Sequence, residues 1–172
     1  LELTKARLPW LVLALFGGFI SVHVLGIFEP VMDLHPELFF FTPLIAAMAG
    51  NVGVQSSAII VQGLANNTII GPVVERLLKE LSLSLLNGVI LSVILLAGSY
   101  FLLGYEIHVG YTVSIALLSV IIMASLIGTF IPIILNKYGV DPALATGPFI
   151  TTSNDILGIL TYFTIAKIIL GI

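Results

Sequence analysis

The chain has 172 residues, of which 59% are hydrophobic and only 9% charged, with a formal net charge of −3. A soluble domain carries about 25% charged residues, so this chain has too little charge to cover a water-facing surface, and its mean hydropathy of +1.20 agrees. The absence of cysteine excludes disulfides and thiolate metal sites, and without a basic patch or an RNA-binding motif no nucleic-acid partner is expected.

About 20 apolar residues span a hydrocarbon core of roughly 30 Å. Five stretches qualify, at about 8–28, 38–65, 81–103, 109–135 and 142–166. None shows the ten-residue alternation of a membrane barrel. The first stretch is longer than a usual signal-peptide core and has no evident small-residue cleavage site. The expected fold is therefore all-α, with five transmembrane helices in one domain covering residues 1–172.

The first segment follows Lys5 and Arg7 and ends at Glu29, which reads either as an outer-mouth ligand or as a solvated helix end. His23 within it reads as a packing residue, and His35 and His108 as loop residues. The second segment contains Pro43 and the polar, backbone-permissive run Gly50-Asn51-Val52-Gly53-Val54-Gln55. Asn51, Gln55 and Gln62 recur at spacings of four and seven, which places them on one helix face. That face either lines a polar path or packs against another helix through amide hydrogen bonds. Gly50 and Gly53 permit close approach of a neighbour or exposure of backbone carbonyls.

Gly71-Pro72 separates the second segment from an expected short interfacial helix at about 73–81. There Glu75 with Lys79 and Arg76 with Glu80 form two i,i+4 pairs. Gly139 suits a left-handed stop after the fourth segment. Asp141 and Pro142 read as N-cap and first position of the fifth, with Asp141 on the cytoplasmic side.

The fifth segment is interrupted by one charge, Asp155, near its middle. A lone carboxylate there costs roughly 2.5–3.5 kcal/mol on insertion scales and marks a functional site by default. Thr151, Thr152, Asp155, Gly158 and Tyr162 fall on a common face by spacing. Pro43 and Pro148 each remove a backbone donor and free a carbonyl near Phe39 and Leu144, whereas Pro132 reads as a plain kink. Pro43-Leu44-Ile45 and Pro148-Phe149-Ile150 align at an offset of 105, with Gly53 then matching Gly158, a faint echo of an inverted repeat.

Lys5, Arg7, Arg76, Lys79 and Lys137 share one side after five crossings, and Lys167 alone lies on the other. By the positive-inside rule the N-terminus is cytoplasmic and the C-terminus external, in a plasma or inner membrane. The external loops carry Glu29, Asp33, Glu37 and Glu106, an acidic set able to concentrate cations. Carboxylate, hydroxyl, amide and carbonyl oxygens suit Mg²⁺ or Ca²⁺. No His-x-x-His or Glu-x-x-His pair points to zinc or iron.

Taken in order, Arg7-Leu8-Pro9-Trp10, Phe28-Glu29, the Pro43 to Gln55 run with Gly-Asn-x-Gly-x-Gln, Asp141-Pro142-Ala143, Gly147-Pro148 and Thr151-Thr152-x-x-Asp155-x-x-Gly158 resemble the transmembrane domain of the MgtE magnesium channel family. The resemblance runs nearly end to end. It implies a homodimer with a pore on the two-fold axis, lined by the second and fifth segments. It implies Asp155, contributed twice, as the metal site for a largely hydrated Mg²⁺, with Thr151 able to add a hydroxyl and Gly50, Asn51, Gly53, Gln55, Thr152 and Gly158 along the path. Mn²⁺, Co²⁺ or Ca²⁺ are further candidate ions. Family members carry an acidic helical domain and paired CBS domains before the first membrane helix, whereas six residues precede Arg7 here. Those regulatory domains are therefore expected to be absent from this chain, removed or supplied separately.

A divalent-cation channel is the leading expectation. A carrier coupling Mg²⁺ to Na⁺ or H⁺ is the alternative, and a non-transporting assembly subunit a third. With one midplane carboxylate and no serine–histidine pairing, the chain is not expected to be an enzyme.

Overall fold

The computed structural model describes residues 2–69, 71–139 and 142–171, and their side chains except those at 6, 142–146 and 148. The described residues form six helices: α1 (Glu2–Ile27), α2 (Glu29–Leu34), α3 (Glu37–Ala65), α4 (Val73–Phe101), α5 (Ile107–Lys137) and α6 (Pro142–Leu170). Five are long and apolar enough to cross a membrane. They are the five apolar segments of the sequence, so the chain is an all-α integral membrane protein.

The short α2 is an addition. Pro30 stands in its first turn, where a missing N–H costs nothing. Glu29 therefore opens a separate six-residue helix instead of ending α1. His35 caps the C-terminus of α2 and lies 2.9 Å from a Glu37 carboxylate oxygen. His108 is not in a loop but in the first turn of α5, 3.2 Å from Glu106.

The expected interfacial helix at 73–81 does not exist as a separate element. Residues 73–101 form one continuous helix, because no glycine or proline lies between Val73 and Asn87 to stop the hydrogen-bond ladder. At 1.5 Å per residue the 29-residue α4 is roughly 43 Å long, so it tilts or extends beyond the hydrocarbon. The break before it stands as the sequence indicates: Gly71 has φ +105° and Pro72 is the extended N-cap. Gly139, at φ +73°, ends α5 in the left-handed region.

Helix α5 is the centre of the bundle, packing against α3, α4 and α6. Val113, Ala116, Leu117, Val120, Ile121 and Ala124 are almost wholly enclosed. Helices α3 and α6 also pack on each other, α1 rests on α6, and α4 packs chiefly on α5. Leu11, Leu15, Phe16 and Phe19 of α1 and Leu86, Ile90, Val93 and Ile94 of α4 stay exposed, as apolar residues facing lipid do.

Small residues set the helix spacing, since lipid tails give no hydrophobic drive for helices to associate. A Cβ on Gly128 of α5 would collide with the carbonyl of Gly53 on α3, and one on Gly53 would collide with the Asn154 amide of α6. Helices α3 and α5 therefore meet backbone to backbone, and α6 meets α3 through the side chains of Asn154 and Ile150. Phe28 stacks on Phe163 at 5.3 Å, and Tyr162 Oη donates to the Leu38 carbonyl at 2.9 Å. That carbonyl, which Thr42 Oγ1 also reaches at 3.4 Å, belongs to the residue before Phe39, the position Pro43 leaves free.

Candidate functional site

A groove runs between α3 and α6. One part has a volume of about 430 Å³ and is lined by Ala46, Ala47, Gly50, Asn51, Val54, Gln55, Thr151 and Asp155. Beyond Val54 a second part of about 350 Å³ continues along Ser57, Ala58, Val61, Gln62 and Ala65, with Gly147 and Ile150 opposite. From Ala46 to Ala65 is roughly 28 Å of helix, close to the thickness of a hydrocarbon core.

Asp155 is half-buried and supplies the charge of this groove. It lies 13 residues into α6 and 15 from its end, hence roughly 20 Å from either terminus. Thr151, one turn earlier on the same face, donates its hydroxyl to the Gly147 carbonyl at 3.0 Å. Across from them, the small side of α3 at Ala46, Ala47 and Gly50 leaves room, and Asn51 and Gln55 present exposed amides. Gln62 lines the continuation, so the amide face read from spacing is one face of the groove.

Three residues expected along the same path are placed elsewhere. Gly53 is buried at the α3–α5–α6 crossing. Thr152 packs against α1, where a Cβ on Gly17 would meet its methyl group. Gly158 is buried where a Cβ would lie 3.1 Å from Ala49. The reason is angular: Thr152 is rotated about 100° from Thr151 around the helix, so a groove narrower than that admits one and not the other. Tyr162 is likewise fully buried, in the core. Glu29 is exposed at the end of the bundle where α1 finishes and α3 begins. Asp141 lies outside the described residues. Pro148 and Leu144 belong to the part of α6 whose side chains are not described.

The structure also shows polar residues that spacing did not single out. Behind Asn51 and Gln55 a cavity of about 490 Å³ lies among α3, α4 and α5, and the same two amides line it. Its charged group is Glu80, which is buried and accepts a 2.6 Å hydrogen bond from Ser56 Oγ. The expected Arg76–Glu80 pair is therefore not formed. Ser84 and Asn87, one and two turns beyond Glu80, line the same cavity, and their spacing of four and seven was the available signal. Asn154, next to Asp155, is fully enclosed and neither of its amide atoms has a partner among the described residues. Also among the described residues, no three His, Asp or Glu side chains gather to hold a metal. Asp155 in one chain thus offers a single carboxylate with hydroxyl and amide neighbours.

Comparison with known proteins gives the family of the chain. A family model described as "MgtE: Divalent cation transporter" matches residues 42–165, which include the whole groove. The chain belongs to the MgtE family. Similar MgtE relatives, each named "Magnesium transporter MgtE", come from Bacillus subtilis, at 41% identity over 93% of this chain, Enterococcus faecalis, at 35% over 97%, and Thermus thermophilus, at 33% over 96%. The chain spans a little over a third of their length, 36–37%. The match therefore concerns the membrane-spanning part of an MgtE protein.

Proposed function

We propose that this chain is the pore-forming membrane domain of a Mg²⁺ channel, and that two copies place their α3–α6 grooves face to face on a two-fold axis. The observation that carries the reading is the groove itself: open on one side, about as long as a membrane is thick, and bearing one carboxylate from the middle of α6. The shared name of the relatives supplies the ion.

Mg²⁺ sheds its water reluctantly and is commonly held by one or two carboxylates with several waters retained. One Asp155 per copy, with the Thr151 hydroxyl and the Asn51 and Gln55 amides around it, suits recognition of such a hydrated ion through its water shell. Two opposed carboxylates would select for charge, and the width between them for hydrated size. A single groove leaves the ion open on one side, so the second copy is part of the site. Lys5, Arg7, Arg76, Lys79 and Lys137 orient the domain with its N-terminus in the cytoplasm. Any cytosolic regulatory domain would act from that side.

The test is uptake of Mg²⁺ by liposomes containing the purified chain and a Mg²⁺-sensitive dye. Saturable Mg²⁺ entry that persists without a Na⁺ or proton gradient is expected, with the mass of a dimer by light scattering. Entry that requires either gradient would replace the channel with a coupled carrier. No entry in verified proteoliposomes would leave this domain without transport of its own.

A further inference from the structure

A second large cavity, of about 720 Å³, opens at the end of the bundle where α3 finishes, α4 begins and α5 finishes. Its mouth is cationic. Arg76 and Lys79 enter from the first two turns of α4 and Lys137 from the last turn of α5. One carboxylate, Glu75, faces the same space, and Lys79 holds it at 2.7 Å. Three cations against one anion leave a net charge of +2 at the lining.

The charge is unbalanced for a structural reason. Spacing would pair Arg76 with Glu80, but Glu80 turns inward to Ser56 at 2.6 Å. Arg76 consequently has a buried Nε with no hydrogen-bond partner among the described residues. An enclosed N–H donor without an acceptor is costly, and an anion or a water at that nitrogen would satisfy it. The N-terminal turn of α4 opens into the same space, and no side chain caps it. Its backbone N–H groups and helix dipole add partial positive charge directed at an anion.

The lining of the cavity narrows the choice of anion. Besides the charged groups, the lining mixes apolar Ile59, Leu64, Ile69 and Ile133 with polar Gln62, Asn66, Thr68 and Asn136. The isoleucines and Leu64 give an acyl chain a surface that a soluble anion leaves uncovered. Arginine forks match phosphate oxygens in a way that lysine does not. This end of the bundle also gathers the basic residues that the positive-inside rule assigns to the cytoplasm, where anionic lipids meet basic pockets between helices.

We propose that this cavity binds the phosphate of an anionic phospholipid headgroup, with Arg76 and Lys137 as its principal ligands and the upper acyl chain against the isoleucines. The lipid would then sit between the α3–α4 turn and the end of α5, behind the face of α3 that carries Gln62 into the groove.

The test uses the purified chain in nanodiscs of phosphatidylcholine containing increasing phosphatidylglycerol. Native mass spectrometry counts the phosphatidylglycerol that survives mild delipidation, and inorganic phosphate is titrated as a competitor in a parallel arm. Wild type should retain phosphatidylglycerol in preference to phosphatidylcholine. Arg76→Gln and Lys137→Gln should each weaken retention about fivefold, the effect of one basic side chain at an anionic surface. Arg76→Lys should fall between wild type and Arg76→Gln, because it keeps the charge and loses the fork. Equal retention by wild type and the double variant would overturn the proposal. Displacement by inorganic phosphate with no preference for phosphatidylglycerol would keep a phosphate site and overturn its lipid source. If Arg76→Gln is not monodisperse, Lys137→Gln decides by the same criterion, since Lys137 is exposed at the end of its helix.

Discussion

Among the described residues, two carboxylates stand within the length of the membrane helices, Glu80 and Asp155, and they are treated in opposite ways. Glu80 of α4 is 8% exposed, receives a short hydrogen bond from Ser56, and lines a cavity among α3, α4 and α5. Asp155 of α6 is half-buried and stands in a groove open along one side. Asn51 and Gln55 line both spaces. A carboxylate that ties two helices together needs a donor and burial. On the proposed reading Asp155 meets a passing ion, which needs neither and does better with small residues opposite. Here those are Ala46, Ala47 and Gly50.

The contrast can be broken most directly by removing each charge in turn. Asp155→Asn keeps the shape of the groove and should lower Mg²⁺ affinity about 10–100-fold, the range for losing a group that supports a bound ion through intervening hydrogen bonds. Mg²⁺ flux in liposomes should fall with it. Glu80→Gln still accepts from Ser56 and should reduce flux far less. Equal losses in the two variants would show that the Glu80 cavity belongs to the ion path as much as the Asp155 groove does.

Packing behind the groove gives the next largest effect. Gly53→Ala forces a methyl group toward Asn154 and Ile150, and overpacking of this kind costs about 1–3 kcal/mol. The expected readout is a lower unfolding temperature in detergent, with α3 pushed away from α6. A matching Gly50→Ala substitution points into open space, with nothing within 4 Å of its Cβ, and should leave the unfolding temperature unchanged. If Gly50→Ala destabilised as much as Gly53→Ala, the two glycines would not face different environments.

Smaller effects sharpen the account of how α6 is held. Tyr162→Phe removes the 2.9 Å hydrogen bond to the Leu38 carbonyl and keeps the ring. A loss of about 0.5–1.5 kcal/mol is expected, toward the lower end because Thr42 reaches the same carbonyl. The smallest effect belongs to Lys79→Ala. Its 2.7 Å pair with Glu75 is solvent-exposed on both sides, and exposed pairs contribute little. No measurable change in unfolding temperature is expected, and a clear loss would mean that the α4 N-terminus is held by more than its backbone.

Much of the molecule was legible in the sequence because it depends on quantities that add along the chain. Hydropathy summed over about 20 residues found the five long helices, since a hydrocarbon slab of fixed thickness asks only for length and apolarity. Gly71-Pro72 and Gly139 marked real breaks because a positive φ and a missing N–H are local properties. The lone charge of Asp155 stood out because an aspartate in a membrane helix is expensive wherever its neighbours lie. The order of family motifs gave the family, which the similarity to other MgtE proteins shows.

Tertiary structure decided everything that depends on which neighbour occupies which angle. Thr151 and Thr152 are adjacent in sequence, yet one faces the groove and the other faces Gly17 of α1. Gly50 and Gly53 belong to one motif, yet one lines the groove and the other carries the α3–α5 crossing. Helical spacing put Glu80 beside Arg76, but it could not know that Ser56 of α3 would come within 2.6 Å. Periodicity fixes what each helix can present; the rotation and approach of its neighbours fix what it does present.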